Sequence, residues 1–223
     1  MTHSDYAKLS RFASAAMVMT ALAHSTLSAA EPAPGKWEIR APMPTARTEV
    51  AAVELGGQIY VLGGYEKNGD MVEAYDPKQN SWRRRASLPR ALHHLGAASV
   101  AGKIYVIGGY VSGGGSVDTV YEYDPSADRW RARAPLPTVR SGIAAAALNG
   151  KIFVFGGESN SGTHNQTESY DPANNSWLSW GLMPTARHGL GAAIVGNSIY
   201  VISGGPKPGA TFSSVNEVFT AIK

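Results

Sequence analysis

Short apolar runs punctuated by glycine, proline, asparagine and aspartate recur along the whole chain, and none shows the spacing of an amphipathic helix. The clearest is Ile104-Tyr105-Val106-Ile107, which ends in the pair Gly108-Gly109, with near-copies starting at Ile59, Ile152 and Ile199. Gly63, Gly108, Gly156 and Ser203 hold equivalent places, 45, 48 and 47 residues apart. A repeating unit of that size cannot bury a core alone, so it dictates the fold by stacking on its neighbours. Within each unit four short segments separated by turn residues predict four antiparallel strands. In the third, an alanine-rich strand after Arg140 ends at Leu148, and Asn149-Gly150 supplies the positive φ angles of a two-residue hairpin turn. The strand that follows, Lys151-Ile152-Phe153-Val154-Phe155, is almost continuously apolar, as a strand covered on both faces must be.

A third strand, Thr167-Glu168-Ser169-Tyr170, runs into Asp171-Pro172, and Trp177 opens the fourth; Asp76-Pro77 with Trp82 and Asp124-Pro125 with Trp130 repeat the arrangement. Proline presets its own φ there and aspartate bonds the backbone ahead. An arginine after a proline, a glycine pair after an apolar strand, a Tyr-Asp-Pro turn and a tryptophan together resemble the Kelch repeat, over nearly all of residues 37–223. The resemblance implies an all-β Kelch-type β-propeller of four blades, each of four antiparallel strands. Two units depart from the pattern. Leu92 stands where the second unit should carry arginine, and the fourth has Ser203 for the first glycine and Phe219 for the tyrosine.

The partial units at the ends suggest how the propeller closes. Residues 36–40 read as a lone fourth-type strand and residues 215–219 as a lone third-type strand, so the N-terminal strand is expected to complete the last blade. Such closure removes an exposed strand edge and implies a monomer; the competing reading is an open arc or an assembly of several chains.

Composition adds a destination. Lys8 and Arg11 precede an apolar run over residues 12–22, and Ser28-Ala29-Ala30 offers small residues for cleavage, so residues 1–30 read as a signal peptide and residues 31–223 as the propeller domain. The expected location is secreted or periplasmic. The run is too short and too alanine-rich for a membrane span. Removing the leader leaves 18 Lys+Arg against 16 Asp+Glu, a balance that argues against nucleic acid. The absence of cysteine excludes disulfides and thiolate metal sites. With no zinc or dinucleotide motif either, no metal and no cofactor is expected.

Function is expected at the loops around the channel mouth. The Kelch resemblance places the arginine of the repeat there, which carries over to Arg47, Arg140 and Arg187; guanidinium groups pair bidentately with acidic ligands. The competing reading is that these arginines bond loop carbonyls and lock adjacent blades. Residues that break the repeat are the other candidates: His93, His94, His188, and Glu158 and His164 in the loop that also holds Asn160, with Tyr65 and Tyr110 after their glycine pairs as rings for stacking on a sugar or a partner. No nucleophile elbow is present, and Gly113-Gly114-Gly115 reads as a flexible loop. The pattern favours a non-catalytic module for a protein or glycan ligand. The alternative is a sugar-processing enzyme of the sialic-acid mutarotase type, for which positioned acid and base groups suffice.

Overall fold

A computed structural model describes residues 36–221. Among the described residues the strands lie in the compact unit Arg40–Lys223, where four antiparallel sheets follow one another as the blades of a propeller and two small hairpins form two-stranded sheets of their own. Blade one holds β1 (Ala51–Leu55), β2 (Gln58–Leu62), β3 (Val72–Asp76) and β4 (Ser81–Arg84). Blade two holds β5 (Gly96–Val100) and β6 (Lys103–Ile107), a small hairpin of β7 (Tyr110–Val111) and β8 (Gly115–Ser116), then β9 (Val120–Asp124) and β10 (Arg129–Ala132). Blade three repeats this plan with β11 (Ala144–Leu148), β12 (Lys151–Phe155), the hairpin β13 (Glu158–Ser159) and β14 (Gly162–Thr163), then β15 (Thr167–Asp171) and β16 (Ser176–Ser179). Blade four has β17 (Gly191–Val195), β18 (Ser198–Ile202) and β19 (Asn216–Thr220). The expected hairpin turn is present, with Asn149 and Gly150 at φ 52° and 76°. The two stretches read as loops after the glycine pairs, residues 110–116 and 158–163, are ordered hairpins instead.

One expectation fails. The last blade has three strands, and residues 36–40 form none, so the N-terminal strand does not complete it. Trp37 and Ile39 are fully exposed. The proposed leader lies outside the described residues.

Among the described residues the core is not one cluster but three, each between consecutive blades. Alternation along a strand sends Tyr60 and Leu62 of β2 toward blade two, whose β6 answers with Ile104 and Val106. Tyr105 and Ile107 repeat the move against Ile152 and Val154, and Phe153 and Phe155 against Ile199 and Val201. Each blade therefore has a leading flank and a trailing flank. The alanine-rich strands β1, β5, β11 and β17 are innermost, packed in that order, where small side chains let the blades converge. Each fourth-strand tryptophan ties its blade to the segment ahead of it: Trp82, Trp130 and Trp177 donate their indole N–H to the carbonyls of Ala41, Ala86 and Ala134 at 2.8–2.9 Å.

The first glycine of each pair marks where blades come closest. A Cβ on Gly63, Gly108 or Gly156 would lie 2.4–2.5 Å from the backbone carbonyl of Leu92, Arg140 or Arg187 on the next blade. These glycines also have φ between 57° and 67°, so both space and conformation exclude a side chain.

Candidate functional site

The segments that enter the inner strands build the loop face. Arg47, Arg140 and Arg187 sit on these segments, with their side chains turned inward rather than to the loop surface. Their side chains are buried and paired with Glu73, Glu168 and Glu217 on the third strand of the same blade at 2.6–2.8 Å. Arg47 also donates to Gly63 O and Met71 O, and Arg187 to Ser203 O. Thr45 and Thr138, two residues ahead of their arginines, donate to the same glutamates. Since the Arg140 and Arg187 carbonyls accept from Gly109 and Gly157 of the preceding blade, these two residues lock adjacent blades.

Blade two shows why it could lose its arginine. Its glutamate is Glu122, one position later in the ladder than Glu73 or Glu168, and a one-residue shift moves a side chain to the other face of a sheet. Leu92 and Tyr121 then meet apolar neighbours on the leading flank. Glu122 on the trailing flank takes Arg131, Arg133 and the Tyr105 hydroxyl instead. Burial works against its charge, but these donors outweigh it and hold the carboxyl below its usual pKa.

The residue after each arginine place bridges to the one after the glycine pair: His93 to Tyr110, Ser141 to Glu158 and His188 to Gly205; the Tyr65 N–H likewise donates to Thr48 O. The next position, Glu49, His94, Gly142 and Gly189, has φ of 52–60° in every unit. Gly142 N–H donates to His94 O and Gly189 N–H to Gly142 O, both at 2.8 Å, so the backbone forms a continuous rim across blades two to four.

Two side-chain groups stand on this rim. In the first, His93 Nδ1 lies 2.5 Å from His94 Nδ1, and His94 Nε2 lies 3.2 Å from Glu49 Oε2. The rings of Tyr65 and Tyr110 flank His93 at 4.9 and 5.2 Å. His93 is buried and its Nε2 has no hydrogen-bond partner among the described residues. Burial and the neighbouring His94 push its pKa down, and the pull of Glu49 the other way is weaker, so the ring is neutral at pH 7.

In the second group, the His188 ring has Nδ1 3.1 Å from Gly205 O and Nε2 3.6 Å from Glu158 Oε2. The Ser116 and Ser141 hydroxyls meet at 3.0 Å, and both donate to Glu158 O.

An open cleft of about 480 Å³ lies between the two small hairpins. Gly114, Gly115 and Ser116 form one wall, Ser159, Asn160 and Ser161 the other, with Thr138 and His164 also lining it. His164 shares a 2.8 Å hydrogen bond with Ser159 Oγ, and burial, reinforced by the charge of Arg140, lowers its pKa. The cleft lining thus offers hydroxyls, an amide and a neutral imidazole but no formal charge.

The candidates named from sequence therefore divide. Tyr65, His93, His94 and Tyr110 come together; Glu158 and His188 form a second pair; His164 faces the cleft; the three arginines go to the interior. Sequence reasoning missed Glu49, although it lies one period before His94, and the serines of the hairpins, which have no period to mark them. Among the described residues no three His, Asp or Glu side chains converge as metal ligands do, and no helix is long and apolar enough to cross a membrane.

Residues 49–220 match the family model described as the KLHDC2/KLHL20/DRC7 Kelch-repeats domain. A solved structure titled "Structure of YjhT" is similar in fold, with a TM-score of 0.67 at 19% identity, covering 80% of this chain and 66% of that one. The chain thus spans just under two thirds of that protein's length. Comparison with curated proteins finds no match.

Proposed function

Because this chain belongs to the Kelch-repeat family, whose blades hold binding loops on rigid sheets, we propose that it is an exported, non-catalytic binding module whose ligand is a glycan or a glycan-bearing protein. The observation that carries this reading is the cleft between the hairpins. Its volume suits one or two sugar rings, and an uncharged lining of Ser116, Thr138, Ser159, Asn160 and Ser161 matches a ligand rich in hydroxyls. Tyr65, half exposed at the neighbouring rim, adds a ring face for stacking. Export rests on the leader, and the mature protein begins at Glu31 when its N-terminus is sequenced.

Titration calorimetry against neutral mono- and oligosaccharides tests the ligand class. Binding weakened by Asn160→Ala and unchanged by Arg84→Ala, on a distant exposed strand, supports the reading. Full affinity in Asn160→Ala sinks it. The His188–Glu158 pair favours one second reading, a sugar mutarotase, because it sets an acid and a base side by side. Faster anomer exchange of sialic acid by NMR, lost in Glu158→Gln, would replace the first reading with this one.

A further inference from the structure

Three blade-to-blade joints are filled within the chain, and parts of the same surfaces stay exposed on blade four and, at Val50 and Ile59, on blade one, where Val61 and Tyr75 are already buried. Along the trailing flank of blade four, Val195 is 65%, Ile202 42% and Val218 56% exposed. The counterparts of Ile202 in blades one to three, Leu62, Ile107 and Phe155, are each 0% exposed. Along the leading flank of blade one, Ile59 is 39% exposed, whereas Ile104, Ile152 and Ile199 are each 0%. Val50 is 38% exposed, against 7–8% for Leu95, Ile143 and Leu190 at the equivalent positions. An apolar surface that is covered at three joints and open at the two ends is one interface cut in half.

We propose that the trailing flank of blade four docks onto the leading flank of blade one in a second copy of this chain, in the register that joins consecutive blades. The aromatic pairs give that register. Tyr60 meets Tyr123 at 5.9 Å, Tyr105 meets Tyr170 at 5.7 Å and Phe153 meets Phe219 at 5.5 Å. The next member of the first series is Tyr200, and the second series begins at Tyr75, so Tyr200 of one copy packs on Tyr75 of the other. The segment ahead of blade one also falls into place. In each joint the strand just before a blade is the outer strand of the blade behind it, so residues 36–40 of the second copy pair with the open edge of β19. Trp37 then takes the place of Trp82, Trp130 and Trp177, and its indole reaches Gly181 O, the counterpart of Ala41, Ala86 and Ala134. A shallow cavity lined by Gly181, Leu182, Val218 and Phe219 stands there to receive it. The contact uses two different surfaces of the chain, so it is heterologous, and it repeats until the ends meet.

Ser203 marks the one misfit. Its counterparts are the glycines that meet the next blade's carbonyl, which here is Arg47 O of the second copy. The serine Cβ holds the joint apart at the loop end and leaves Tyr200, Ile202 and Val218 to carry it.

Sedimentation of the purified chain tests the proposal. The wild type associates in a concentration-dependent manner, and Ile202→Lys and Ile59→Asp, both at exposed sites, each sediment as monomers. Mixing these two variants restores association, because each supplies the flank the other lacks. Ser203→Gly shifts association to lower concentration. A wild type that stays monomeric at all concentrations overturns the proposal. So does association that survives either variant, or variants that fail to complement on mixing, since a contact between like flanks or a different partner would behave that way.

Discussion

At the scale of single residues, the arginines show how identity and role part company. Arg140 has its charge balanced by Glu168 in a site closed to water, so removing either leaves the other buried and unpaired. Arg140→Met is expected to cost about 3–5 kcal/mol in urea unfolding without touching the cleft walls. His93 sets the pH response. Its folded pKa lies below the unfolded value of about 6.5, so the unfolded chain binds more protons in the window beneath that value. Stability is complete above about pH 6.5 and falls as the pH drops through it, in the same direction as for His164. Carboxylates such as Glu122 and Asp171, held low by their donors, add their loss only at more acid pH. Urea midpoints measured between pH 7.5 and 5.5 should therefore decline in the wild type and decline less in His93→Gln.

At the scale of elements, the strand ending in a glycine pair is the joint of the molecule. It must turn sharply into a hairpin while the next blade's backbone passes against it. Gly108→Ala places a Cβ 2.5 Å from Arg140 O at a positive φ, and neither backbone has room to retreat. The expected loss is about 2 kcal/mol or more, read from the urea midpoint. Gly150→Ala, in a turn with open space around it, has only the conformational part of that loss. The hairpins that leave these joints differ between blades, and that difference is where the cleft arises: β7–β8 and β13–β14 face each other, while blade one carries only a 3-10 turn at Glu66–Asn68.

At the scale of the whole molecule, stability is shared among joints rather than held in one centre. Each cluster draws on two blades, so a blade is only as stable as the flanks it covers. The second blade shows that a joint tolerates a change of chemistry when the change is paired: Leu92 and the displaced Glu122 compensate each other across the two faces of one sheet. The end blades each have one flank without such a neighbour. Association of copies, read by sedimentation, is the property in which this imbalance becomes visible.

The repeat period, the four units, the strand order within each and the hairpin and Asp-Pro turns are all local, carried by residues a few positions apart, and the sequence alone determined them. So was the group of residues that break the repeat, because a repeat makes departures conspicuous. What the tertiary structure decided is everything that depends on which face meets which neighbour. Whether Arg47, Arg140 and Arg187 point to solvent or to a buried glutamate turns on the pairing of the entering segment with the third strand, nearly thirty residues away. Whether residues 36–40 close a blade turns on the presence of a flank for them to meet. The cleft, too, exists only because two hairpins from different repeats are brought face to face. Periodicity states what each unit is; only packing states what each unit touches.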